Sequence, residues 1–105
     1  MQEVEIMKKH LYVMFLEKTK IYNKMNKEAV IRHVNHIRNL DEKGKIELCG
    51  PFKGYPGVGG MIILKTETYE EAEKICKTEP LVVEGYTTYK LVTLQIANKE
   101  NNYLL

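Results

Sequence analysis

Residues 27–43 read KEAVIRHVNHIRNLDEK, and Val30, Val34, Ile37 and Leu40 recur along them at helical spacing. One apolar stripe on an otherwise charged segment predicts an amphipathic helix. Asn26 suits its N-cap, with Lys27 and Glu28 opening the first turn. Gly44 suits the left-handed position just past its end. A second helix is expected from Thr68, which forms a capping box with Glu71. Tyr69, Ala72, Ile75 and Cys76 give its apolar side. Glu79-Pro80 ends it, because the residue before proline is pushed out of helical geometry.

Elsewhere the pattern is that of strands. Residues 11–18, LYVMFLEK, are rich in β-branched and aromatic side chains. Residues 45–52, KIELCGPF, form a second run, broken by Gly50-Pro51. Residues 61–67, MIILKTE, form a third. Between these two, residues 53–60 read KGYPGVGG, four of eight being glycine, which predicts a flexible hairpin loop. LVVEG after Pro80 reads as a short turn or helical fragment, and residues 86–98 as the last strand. The order strand, helix, strand, strand, helix, strand is that of a ferredoxin-like βαββαβ sandwich of the α+β class. Two helices then cover one face of a four-stranded antiparallel sheet. The domain is expected over residues 11–97, with an N-terminal extension at 1–10 and a polar tail at 98–105.

Alternation within the strands has a further implication. Leu11, Val13 and Phe15 oppose Tyr12, Met14 and Leu16, and Val92, Leu94 and Ile96 oppose Tyr89 and Leu91. Both sheet faces are apolar, yet the helices can cover only one. A bare second face would exceed what a monomer normally exposes, so a two-fold homodimer built sheet against sheet is expected.

Composition narrows the function. The 105 residues carry a net charge of +2 with lysines and glutamates interspersed, so no nucleic-acid partner is expected. No apolar run approaches membrane-spanning length, and MQEVEIMKKH has no secretory pattern. Cys49 and Cys76 have neither CxxC nor metal-like spacing and read as free thiols in a reducing compartment, which points to the cytoplasm. His33 and His36, three apart on one helix, could share a metal, but no third ligand is apparent and no metal is expected. The 53–60 loop lacks the ending of a phosphate loop.

His33 is the main chemical candidate. On a helical wheel it lies inside the edge of the apolar stripe, beside Val30 and Ile37, with His36 one row further round. Histidine titrates near neutrality, so a ring aimed at a packing surface can serve as an acid/base group or as a partly buried structural residue. Arg32 and Arg38 on the same helix could hold an anionic substrate or form its wet face.

The strings RHVNHIRNLDEKGKIELCGPF, GGMIILKTETYEEAEKI and EPLVVEGY together resemble the YCII-related domain proteins over roughly residues 11–97. The resemblance rests on a helix histidine at a fixed distance before a glycine, on GPF and GGM around the hairpin, on EEA in the second helix, and on an acidic-Pro pair before a glycine. It implies a dimeric ferredoxin-like α/β barrel, and a pocket between helices and sheet near the histidine. Activity in this family is mostly unproven. Its members look similar to muconolactone isomerases and to a chloro-hydroxyhydroquinone dehydrochlorinase, where a histidine and an aspartate are the proposed acid/base pair. The family histidine falls on His33. The family aspartate falls on Glu79, where glutamate keeps the charge and lengthens the arm by one methylene. Beside such a pocket, His36, Pro51 at the bend of the second strand and Tyr55 in the glycine loop are the expected ligand contacts. Two functions are compatible with this: a small-molecule enzyme using His33 for proton transfer without a cofactor, or a non-catalytic dimer that binds a metabolite or supports a partner.

Overall fold

The structure, a computed structural model, describes residues 10–105; nine of the ten residues expected as an N-terminal extension lie outside that range. The first strand, β1 (His10–Lys18), leads through a 3-10 turn (Tyr22–Lys24) into α1 (Lys27–Glu42). The hairpin strands β2 (Ile46–Pro51) and β3 (Val58–Leu64) follow, then α2 (Tyr69–Thr78), the single-turn α3 (Pro80–Val83) and β4 (Thr87–Gln95). The sheet order is β2-β3-β1-β4, with every neighbouring pair antiparallel. This is the expected α+β, βαββαβ fold. The tail forms turns over Lys99–Leu104, kinked where Asn102 and Tyr103 take positive φ.

The helix boundaries follow local chemistry. The Asn26 side chain accepts from the Ala29 N–H at 2.8 Å, and the Thr68 hydroxyl accepts from the Glu71 N–H at 3.1 Å. Gly44, at φ +73°, takes the left-handed position after α1. Pro80 opens α3, where its missing N–H costs nothing.

Three strands differ from expectation, the last of them, β4, ending at Gln95 rather than Asn98. β2 is not broken at Gly50-Pro51; it runs through Pro51, which pairs with Gly60. Proline is tolerated there because β2 is the sheet edge. β3 begins at Val58, inside the stretch expected to be loop, and ends at Leu64. Gly59 and Gly60 are therefore strand residues. Their role is close approach: a Cβ on Gly60 would lie 2.5 Å from the Gly50 carbonyl oxygen, and one on Gly59 would lie 2.7 Å from the Tyr22 hydroxyl. The turning is done by Gly54 and Gly57, both at positive φ.

The core sits between the sheet and the helices. Tyr12, Met14 and Leu16 of β1 and Ile62 and Leu64 of β3 meet Leu40 of α1 and Ala72 and Cys76 of α2. Burial pushes the Cys76 thiol up to about 12, with Glu73 and Glu79 adding to the effect, so this thiol is inert. The opposite sheet face is apolar as well. The register sets Val13 of β1 between Ile63 of β3 and Val92 of β4, and Leu94 stands beside Leu11. Val92, Leu94 and, on β2, Leu48 are exposed there. Among the described residues no helix is long and apolar enough to cross a membrane.

Candidate functional site

The two long helices sit differently on the sheet. α2 packs against β1 and β4 through Ala72 and Cys76, both fully buried. α1 packs on α3 and joins the core near its C-terminal end through Leu40, while its N-terminal half leaves a gap over the strands. Val30 and Val34, expected to pack, remain 42% and 37% exposed. The space they border is a cavity of about 420 Å³ between α1 and the β2–β3 half of the sheet. Such a volume suits a small organic molecule.

Each wall has a distinct chemistry. Val30, Val34 and Ile37 make an aliphatic wall on α1. Gly50 and Pro51 of β2 with Gly59 and Gly60 of β3 make a floor almost free of side chains. Tyr22 and Met25, from the connection after β1, close one end. The Tyr22 ring can lie against β3 because Gly59 has no side chain, and the Lys18 ammonium sits 5.0 Å over the same ring. The polar groups are few: His33 and Arg38 on α1, Cys49 on β2 and Thr87 at the start of β4.

His33 and Glu79, 46 residues apart in the chain, meet at this cavity. His33 Nδ1 is hydrogen-bonded to Glu79 Oε2. The Glu79 side chain is completely buried, while that of His33 is 23% exposed. The other carboxylate oxygen, Oε1, accepts the Leu81 N–H at 2.8 Å. Glu79 is thus the N-cap of α3 as well as the partner of His33. With both oxygens accepting, the imidazole donates from Nδ1; in the neutral ring Nε2 then carries the lone pair. Nε2 makes no hydrogen bond among the described residues. A ring oriented by a buried carboxylate at the wall of an open cavity has the arrangement of a general base.

Pro51 lines the cavity as well. The other two expected contacts do not. Tyr55 is exposed in the hairpin loop, edge-on to Phe52 at 5.9 Å. His36 is turned away from the cavity wall, and its Nε2 is buried without a hydrogen-bond partner among the described residues. Burial lowers the His36 pKa; Glu79 pulls it back up, and His33 and Lys43 lower it further. Its surroundings favour the neutral ring. Arg32 is also drawn off, in a two-pronged pair with Glu84 at 2.6 and 2.7 Å. That pair raises the Arg32 pKa and lowers that of Glu84.

Tyr22, Met25 and Thr87 were not anticipated. The apolar Ile21, Tyr22 and Met25 within an otherwise polar connection were the available signal. Thr87 gave none in the sequence; its buried hydroxyl also lacks a partner among the described residues. No cluster of three His, Cys, Asp or Glu side chains capable of holding a metal occurs among the described residues.

The chain matches no protein-family model. It is 29% identical over 76 residues to the uncharacterised protein YjpA of Bacillus subtilis (strain 168), covering 72% of this chain and 84% of that one. Among solved structures it resembles the 5-chloro-2-hydroxyhydroquinone dehydrochlorinase of Burkholderia phenoliruptrix AC1100, in complex with 2,5-dihydroxybenzoquinone. The TM-score is 0.67 at 16% identity, over 88% of this chain and 98% of the other. That likeness is one of fold, shared with a small-molecule enzyme.

Proposed function

We propose that this chain is a YCII-related protein, and a cofactor-independent enzyme in which His33 moves a proton on a small organic substrate. The observation that carries the reading is His33 at the wall of the 420 Å³ cavity with fully buried Glu79 behind it. Nε2 takes a proton from a carbon next to a carbonyl; Glu79 holds the ring and stabilises the imidazolium that forms. Return of the proton to another carbon gives an isomerase, and loss of a leaving group such as chloride gives a dehydrohalogenase. The apolar lining suits a compact, ring-sized substrate. The dehydrochlorinase named above, which shares the fold, adds support for that class.

The same reading makes the protein a homodimer through the outer sheet face, where Val13, Ile63, Val92, Leu94 and Leu48 gather. The free thiols of Cys49 and Cys76 fit a reducing interior such as the cytoplasm. Light scattering at micromolar concentration should return about twice the 12.2 kDa chain mass. A stable folded monomer would remove the dimer.

Chloride release from 5-chloro-2-hydroxyhydroquinone and isomerisation of muconolactone test the chemistry. One of the two should proceed above the uncatalysed rate, and His33→Asn should abolish the excess. Binding of 2,5-dihydroxybenzoquinone in the cavity with no turnover of either compound would favour a non-catalytic binding module instead.

A further inference from the structure

Among the described residues, the cavity is lined by one fully charged side chain, the cation Arg38, and by no aspartate or glutamate. Glu79 lies behind His33, with both oxygens taken by hydrogen bonds inside the protein. Two other cations, Arg32 and Lys18, are already engaged. Arg32 is held by Glu84 through two short bonds, and Lys18 sits over the Tyr22 ring. Arg38 has no ion pair among the described residues; its contact is a long 3.4 Å bond from its Nη1 to Asn35 Oδ1. An apolar cavity with an uncommitted guanidinium at its rim is built for a molecule with an apolar body and one anionic end.

The helix fixes the spacing. Arg38 follows His33 by five residues, a rise of about 7.5 Å along α1 and a turn of about 140° about its axis, and both residues line the cavity. A six-carbon skeleton bearing a carboxylate spans that distance. With the acid on Arg38, the far end of the skeleton lies beside His33, over the glycine floor. Resting on the reading of this cavity as the ligand site, we propose that the substrate is a small organic acid and that Arg38 binds its carboxylate, setting which carbon faces His33.

The test compares acids with their uncharged amides of nearly equal shape: benzoate with benzamide, and phenylacetate with phenylacetamide. Binding is followed by NMR shifts of the His33 ring and the Val30 and Val34 methyls at low ionic strength. Each acid should bind about fivefold more tightly than its amide, an exposed charge pair being worth up to about 1 kcal/mol. The preference should shrink with added salt, vanish in Arg38→Gln and largely survive in Arg38→Lys. Arg38 is exposed, so both variants should fold, which melting curves check. If the amides bind as well as the acids, or the preference persists in Arg38→Gln, Arg38 is not the anion site and the cavity reading stands. If neither acids nor amides shift the cavity signals, this inference and the proposed function both fall.

Discussion

The two helices cover one sheet face and do opposite things with it. α2 meets the strands with Ala72 and Cys76, small enough to let its backbone come close and seal the interface. α1 reaches the core through Leu40 but presents Val30 and Val34 to a gap over the strands. The first contact is ordinary core. The second leaves apolar surface uncovered, at a hydrophobic cost that a site for ligand can justify. The difference shows that an amphipathic stripe reports which side of a helix faces inward, and not whether anything fills the space in front of it.

That contrast can be broken in several places. The largest effect is expected where the open side carries chemistry. His33→Asn should lower the rate on a turned-over substrate by about 100-fold or more, the usual contribution of a positioned proton-transfer group. His36→Asn, off the cavity wall, should leave the rate within a few-fold. Equal losses in the two variants, measured as kcat/KM, would show that α1 supports the site only as scaffold.

Overpacking separates the helices in stability. Ala72→Leu forces three carbons into a sealed contact and should cost about 1–3 kcal/mol in urea unfolding. Val34→Leu points into open space, so its stability should stay within about 0.5 kcal/mol while small-molecule affinity falls. Comparable costs at both positions would mean that the cavity closes in solution.

The smallest effect concerns His36, on the inner flank of α1. Burial lowers its folded pKa below the ordinary 6.5, so the unfolded chain binds the proton more readily. Its contribution is fully present above about pH 6.5 and is lost as the pH falls from there through the lowered folded value. The melting temperature of the wild type should therefore drop across that window by more than that of His36→Leu. Leucine also removes an unpartnered buried polar atom, so the variant should be no less stable than wild type at pH 8. A parallel pH dependence in the two proteins would contradict the assignment.

These outcomes bear on what could be read from residues alone. The caps at Asn26 and Thr68, the helix limits and the βαββαβ order were legible because their causes are local. Gly59 and Gly60 were misleading for the opposite reason. Their composition is that of a flexible loop, and only the approach of Gly50 and Tyr22 across the fold shows why a strand carries them. The pairing of His33 with Glu79 was suggested by resemblance rather than spacing, since no periodicity connects residues so distant. His36 and Tyr55 are of types that commonly bind ligands. What keeps them from the cavity is the rotation of α1 and the course of the hairpin, which residue type does not encode.

Glu79 has a consequence for stereochemistry. One of its oxygens is anchored to the Leu81 N–H, so the imidazole is tethered through it to the main chain and offers a single nitrogen to the substrate. In the proposed isomerisation, one nitrogen must both collect and deliver the proton. Departure and return then take place on the same side of the molecule. A deuterium removed by His33 should reappear in part on the product, on that face, when turnover outpaces exchange with solvent. Delivery to the opposite face would require a second proton carrier.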